Sequence, residues 1–250
     1  MTEVIKTVEL CKKNILFNIN FYMKKGEMAA VMGPSGSGKS TLLYQLSGMD
    51  RPDDGEVIFD GYNICTYSED MRADIRLNKM GFVFQQMNML PNLNIIDNII
   101  LPAHQSQKTK KGGKKGEAEL KSEAVALMQK VGIAGLENRK ITEVSGGQLQ
   151  RACICRAMIN QPKILFADEP TGALNKSASE EIMEEFVRLN KEGTSILIVT
   201  HDSKVASCCD RILYMVDGEI TGECILGKYE ISQKHNREKN VANWLENHGW

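Results

Sequence analysis

The stretch Gly33-Pro34-Ser35-Gly36-Ser37-Gly38-Lys39-Ser40-Thr41 has the spacing of a phosphate-binding loop, G-x-x-x-x-G-K-[ST]. Its glycines let backbone N–H groups curl around phosphate oxygens, Lys39 can reach the β- and γ-phosphates, and the Ser40 hydroxyl can ligate Mg²⁺. More than a hundred residues later, Asp168 and Glu169 close the apolar run KILFAD (163–168). Neighbouring residues on a strand point to opposite sides, so the two carboxylates are expected to do different work. One can hold the Mg²⁺ shell while the other faces the γ-phosphate and orients or deprotonates an attacking water. A third site is VSGGQ (144–148), where Ser145 stands ahead of a glycine pair at the head of a helical pattern. Ser145 can cap that helix and leave N–H groups exposed at its positive end, although by itself the motif is an ordinary helix start.

Positioning these groups requires an α/β scaffold. EMAAVMG (27–33) is an apolar run ending in glycine, with the helical pattern TLLYQLSGM (41–49) directly behind it. KILFAD and TSILIVTH (194–201) are further apolar, β-branched runs with a helical segment, Ser179 to Leu189, between them. Such alternation predicts parallel strands covered by helices. EVIFDG (56–61) and RILYMVDGEI (211–220) carry Asp-Gly turn signals that suit antiparallel strands, so a mixed sheet is expected. Helical patterns dominate residues 86–162, which reads as an inserted helical subdomain between core segments 1–85 and 163–227. Its lysine- and glycine-rich middle, near 104–118, has too few apolar residues to pack and reads as a mobile solvated loop. Contact with an anionic membrane surface is the other reading. The tail, 228–250, places Val241, Trp244, Leu245 and His248 at helical spacing and is expected to pack on the chain's own core.

Composition narrows the classes. The 31 basic and 32 acidic residues of the 250 give a formal charge of -1, which offers no global electrostatic case for a nucleic-acid partner. Residues 1–20 lack the charged start, apolar run and cleavage site of a signal peptide, and no run approaches about 18 apolar residues. The seven cysteines, with pairs at 153/155 and 208/209, lack metal or redox spacing and read as free thiols of a reducing cytosol.

In order, GPSGSGKST (33–41), FVFQQ (82–86), VSGGQLQR (144–151), ILFADEPTGALN (164–175) and ILIVTHD (196–202) resemble the nucleotide-binding subunit of an ABC transporter over nearly the whole chain. The resemblance implies a P-loop NTPase core with an inserted helical subdomain, with ATP and Mg²⁺ as cofactors. It assigns Ser40, Gln85 and Asp168 to the Mg²⁺ region, Glu169 to the catalytic base and His201 to a γ-phosphate contact. Ser145, Gly146, Gly147 and Gln148 match the family signature, which faces the phosphate loop of a second copy when ATP closes a homodimer. Two positions depart from the family pattern. Val144 replaces a usual leucine, and LCKKNI (10–15) lacks the aromatic residue that stacks on adenine, leaving GTP open as a substrate.

GFVFQQMNMLPNLNIIDNIILP (81–102) and DEPTGALN (168–175) are most similar to the branch containing the MacB, LolD and bacitracin-resistance ATPases. That implies an integral-membrane permease partner, a cytoplasmic position on the inner face of the membrane, and export or removal of an antimicrobial peptide, lipopeptide or lipoprotein. An FtsE-like regulator of cell-wall remodelling is the alternative. A soluble mechanical ATPase is disfavoured by the absence of a coiled-coil arm, a second ATP-binding half or a basic face.

Overall fold

The computed structural model describes residues 2–109 and 116–250. In chain order they form β1 (Glu3–Lys12), β2 (Leu16–Ile19), β3 (Tyr22–Lys24), β4 (Met28–Met32), α1 (Lys39–Leu46), β5 (Asp54–Phe59), β6 (Tyr62–Asn63), α2 (Glu69–Lys79) and β7 (Met80–Phe84). There follow α3 (Ile95–Thr109), α4 (Glu117–Lys130), α5 (Gly146–Met158), β8 (Ile164–Asp168), α6 (Lys176–Lys191), β9 (Ser195–Val199), α7 (Ser203–Ser207), β10 (Arg211–Val216), β11 (Glu219–Ile225) and α8 (Lys234–Glu246).

Two sheets result. One has the order β2-β1-β5-β6, with β3 also on β1, and its pairs are antiparallel. The other has the order β11-β10-β4-β9-β8-β7 and is parallel except for the β10–β11 hairpin. β4 and β9 are buried along their whole length because each lies between two strands with both faces covered. Continuous apolar runs such as MAAVM and SILIV suit that position.

The expected mixed sheet is therefore divided into an antiparallel sheet and a mostly parallel one. The hairpin expected at 211–220 forms, with Asp217 (φ 47) and Gly218 (φ 81) both at positive φ as a two-residue turn requires. Yet β10 is not simply antiparallel, since its other edge pairs parallel with β4. The lysine-rich loop is shorter than the sequence suggests, because α3 continues to Thr109 and α4 begins at Glu117. Its centre, 110–115, lies outside the described residues.

Register is the feature that matters most for chemistry. Phe84 lies beside Asp168, Asp168 beside Val199, and Val199 beside Val31. The residues that follow these positions consequently leave one edge of the sheet together.

Three apolar clusters hold the elements. One sheet face packs on α5, α6, α7 and α8 through Ile154, Ile182, Phe186, Val205, Val241 and Leu245. The other face meets α1 and the antiparallel sheet through Leu42, Leu46, Val57 and Phe59. α3, α4 and part of α5 form the third cluster through Ile99, Ala124, Met128, Cys153 and Ile159. Asn98, buried in α3, donates to the carbonyls of Leu90, Leu93 and Asn94 and accepts from the Leu90 N–H at 2.8 Å, which ties the incoming loop to the helix.

The tail packs as its spacing predicts. Val241 and Leu245 are buried, and Trp244 and His248 meet Tyr214 edge-on, although His248 lies just past the end of α8. Arg237 is buried beneath them and donates to the carbonyls of Ser207 (2.8 Å), Leu226 (3.0 Å) and Gly227 (3.1 Å). Leu245→Ala removes three buried carbons from this contact and should lower unfolding free energy by about 2–5 kcal/mol. Ile225→Ala, at a side chain 77% exposed, should change it by less than about 0.5 kcal/mol. Chemical denaturation of both variants checks this; equal midpoints would place the tail outside the cooperative core.

Candidate active site

The loop 33–38 leaves β4 where the β10–β11 hairpin crosses it. Gly33 has φ 153, and a Cβ there would lie 1.9 Å from the Met215 carbonyl oxygen. Gly38 has φ 98, and a Cβ there would lie 2.9 Å from Leu16 Cδ2 and 3.2 Å from the Ile15 oxygen. Neither position tolerates a side chain. The Ser37 N–H donates to the Pro34 carbonyl (3.2 Å), and the Gly218 N–H donates to the Ser37 carbonyl (3.1 Å), so the hairpin turn clamps the loop.

Because Gly38 is the N-cap of α1 and supplies no capping side chain, the first-turn N–H groups keep their free hydrogen-bonding capacity. Together with the positive end of the helix they suit an anion. Lys39 curls back and donates to the carbonyls of Gly33 (2.8 Å) and Pro34 (2.7 Å).

At the end of β8, Asp168 accepts a hydrogen bond from the Ser40 hydroxyl at 3.2 Å. Burial pushes its carboxyl pKa upward, the Ser40 bond opposes that shift, and neighbouring Glu169 adds to it. Burial likewise pushes the Lys39 ammonium pKa downward, against the pull of Glu169 and Asp168. Burial thus disfavours the charged form of each group, a penalty that a bound polyanion and cation would offset.

Glu169 lies beyond the strand and adopts φ 46, a left-handed conformation uncommon for a side-chain-bearing residue. Its divergence from Asp168 therefore comes from this bend rather than from strand alternation. The Glu169 N–H donates to the Val199 carbonyl at 2.9 Å. Oε1 accepts from the His201 N–H (3.0 Å) and lies 2.7 Å from His201 Nδ1, while Oε2 accepts from the Thr200 hydroxyl (3.2 Å).

These elements enclose a cleft of about 350 Å³. Ser35, Gly36, Gly38, Lys39, Ser40, Thr41, Asp168, Glu169 and His201 line it, with Ile15 and Val199. Of the other loop residues, Gly33 and Pro34 serve as acceptors for Lys39, and Ser37 is buried with its hydroxyl unpartnered among the described residues. Gln85 does not line the cleft; it packs against Gly172, where a Cβ would lie 2.9 Å from Gln85 Nε2.

Ser145, Gly146, Gly147 and Gln148 also lie outside the cleft. The Ser145 hydroxyl accepts from the Gln148 N–H (3.3 Å) and Gln148 Oε1 accepts from the Ser145 N–H (2.9 Å), a reciprocal cap. The neighbours of this turn are Leu174, 3.5 Å from a Cβ at Gly146, and Ala178, 3.3 Å from one at Gly147.

Sequence reasoning missed Thr200, whose hydroxyl serves both Glu169 and the Asp202 N–H. It also missed Ile15, 40% exposed at the cleft mouth; the only signal was the gap where an aromatic residue was expected.

A family model described as ABC transporter matches residues 16–172. An uncharacterized ABC transporter ATP-binding protein, YknY of Bacillus subtilis, is 41% identical over 222 residues, covering 88% of this chain and 94% of that one. The macrolide export ATP-binding/permease protein MacB of Syntrophobacter fumaroxidans is 41% identical over 210 residues, 84% of this chain and 29% of that protein. Among solved structures, the dimeric ATP-binding cassette MJ0796 in a post-hydrolysis state with ADP and Pi superposes with a TM-score of 0.79 at 36% identity. It covers 90% of this chain and 100% of its own.

The raised Asp168 pKa has a consequence for stability. A carboxyl whose folded pKa exceeds its unfolded value makes the folded state lose stability as pH rises through that interval. Asp168→Asn removes the titration and can keep the Ser40 contact. The variant should melt higher than the parent at neutral pH without ligand, and the difference should shrink as pH falls below the ordinary carboxylate range. Melting curves from pH 3 to 8 check this, and a pH-independent difference would contradict it.

Proposed function

The chain belongs to the ABC transporter family, and on that premise we propose that it hydrolyses ATP in a head-to-tail homodimer to drive a membrane permease. The observation that carries this reading is the gathering of Lys39, Ser40, Asp168, Glu169 and His201 in one cleft, with the capped turn at Ser145 exposed elsewhere. The residue types then take distinct roles. The loop N–H groups and Lys39 hold the β- and γ-phosphates, exchanging the Gly33 and Pro34 carbonyls for phosphate oxygens. Glu169, fixed by Thr200 and His201, orients the attacking water and accepts its proton, and His201 contacts the γ-phosphate.

Ser40 and Asp168 fit a Mg²⁺ site. Among the described residues no cluster of three or more His, Cys, Asp or Glu could hold a metal alone, so phosphate and water oxygens would complete the shell. When bound, Mg²⁺ neutralises charge developing on the phosphates. Gln85, at the end of β7 and against Gly172, joins this region to the helical lobe.

The permease reading is supported by the relatives. MacB carries permease and ATP-binding parts together, and this chain corresponds to 29% of it. No helix among the described residues is long and apolar enough to cross a membrane. A cleft of about 370 Å³ between α2, β7 and the helical lobe, lined by Met49, Phe82, Phe84, Pro102 and Arg156, suits a permease segment. Seated there, the chain is peripheral on the cytoplasmic face. The MacB relationship supports export, and we propose an antimicrobial peptide, lipopeptide or lipoprotein as the cargo.

Complementation tests the dimer. Lys39→Ala should lose ATP binding, and Glu169→Gln should keep binding and lose hydrolysis, because the lysine acts on ground-state charge and the glutamate on water. Lys39→Ala and Ser145→Arg should each be inactive alone. Mixed, with the permease present or the copies tethered, they rebuild one intact site, and hydrolysis should return in part. A confirmed heterodimer without activity would count against the arrangement, and loss of nucleotide binding by monomeric Ser145→Arg would refute it.

Base selectivity is a separate expectation. Stacking on an aromatic is worth about 1–3 kcal/mol per base, and Ile15 stands near the place where one is missing. Competition should therefore show only a small preference for ATP over GTP; a large one would require another platform.

A further inference from the structure

A groove of about 660 Å³ runs from Glu169 and His201, between α6 and α7, to the tail. Leu174, Met183, Val205 and Tyr229 give it an apolar lining. On its rim stands Ile231, 66% exposed, in a short 3-10 turn, Ile231–Gln233, just before α8, whose Lys234 pairs at 3.4 Å with Glu180 near the head of α6. Single exposed isoleucines are ordinary on protein surfaces, so the argument rests on where this one is placed.

The head-to-tail dimer proposed above fixes that place. If each phosphate loop faces the other copy's Ser145, the two-fold axis must pass along the contact face midway between one copy's phosphate loop and the same copy's Ser145. The segment 171–178 runs between those two places. At one end it follows Glu169, which lines the phosphate cleft; at the other, Leu174 and Ala178 neighbour Gly146 and Gly147. The groove contains Glu169, His201 and Leu174, so it opens where the axis passes.

An isologous contact presents the same segment from both sides, and among the described residues that line this groove Ile231 is the large apolar side chain that stands exposed. We infer that Ile231 of each copy packs into the partner's groove across the two-fold axis, so that the tail is part of the dimer interface. This inference rests on the head-to-tail reading.

The turn is built to present a side chain. Arg237 donates to the Leu226 and Gly227 carbonyls at 3.0 and 3.1 Å and lies 5.4 Å from the Tyr229 ring centroid, which holds the approach to Ile231 from below. A segment already ordered loses little conformational freedom on association. The rim carries both signs, with Lys204, Lys234, Glu180 and Glu238 among its lining and Lys234 paired with Glu180 at 3.4 Å, so two identical copies can meet without net repulsion.

The test compares the full chain carrying Glu169→Gln, which retains ATP, with the same chain carrying Ile231→Asp. Sedimentation with ATP and Mg²⁺ should show the dimer dissociation constant rising at least about tenfold, in the range of a buried anchor residue. Melting temperature and ATP binding by the monomer should stay unchanged, since Ile231 is exposed within one copy, and Ile231→Val should dimerise like the parent. Ile231→Cys should also cross-link through a short bismaleimide with ATP only, beyond the level of the parent. A parent that dimerises while Ile231→Asp matches its dissociation constant would overturn the inference alone. A parent that stays monomeric with ATP, with and without the permease, would overturn the head-to-tail reading and the inference with it.

Discussion

The backbone ladder that sets Phe84 beside Asp168, Asp168 beside Val199 and Val199 beside Val31 is the constraint on which the rest depends. It brings the phosphate loop, Gln85, Glu169 and His201 out at one edge of a parallel sheet although they are scattered over most of the chain. A slip of one residue would turn every side chain of that strand to the opposite face. Burial on both faces forbids such a slip, because the misplaced side chains would meet the closely packed clusters on either side of β4, β8 and β9. The dominant contribution of the core to function is thus positional.

The sheet edge is also where the fold accepts local cost. Lys39 and Asp168 are both shifted toward neutrality by burial, and Glu169 is bent into a left-handed conformation that the Val199 carbonyl and Thr200 hydroxyl hold in place. Such features persist only where the surrounding structure over-determines them, and they concentrate where ligands bind. A polyanion with its cation would favour the charged form of both half-buried groups at once.

Much of this was legible from sequence where a local rule and a global role coincide. Gly33 and Gly38 are forced by close backbone approaches, the Ser145 cap follows from its position before a helix, and the apolar runs of β4, β8 and β9 reflect burial on two faces. Other features depend on partners distant in sequence. β1 to β3 were not identified, because a strand such as EVIKTVELCK is half exposed and acquires its meaning from pairing with β5. The dual pairing of β10 was likewise invisible, since its Asp-Gly turn reports only the hairpin side. Arg237 sits in the polar stretch HNREKN and reads as solvated, yet it is buried because five carbonyls, of Ser207, Cys209, Leu226, Gly227 and Lys228, converge on it.

The helix that begins at Ser145 belongs to two cores. Ile154 and Ala157 pack with the sheet, whereas Ala152, Cys153, Cys155 and Ile159 pack with α3 and α4. Arg156 on the same helix donates to the carbonyls of Met87 and Asn88, both at 2.7 Å, just after Gln85, which follows β7. Close-packed interiors transmit displacement rather than absorb it. A force applied to the segment after β7 is therefore passed through Arg156 to α5, and α5 cannot shift without moving the capped turn at its head. In a dimer built as proposed, that turn bears on the other copy's phosphates. The mechanical link between a partner at the helical lobe and the chemistry of the opposite site then consists of one helix, one arginine and the loop it holds.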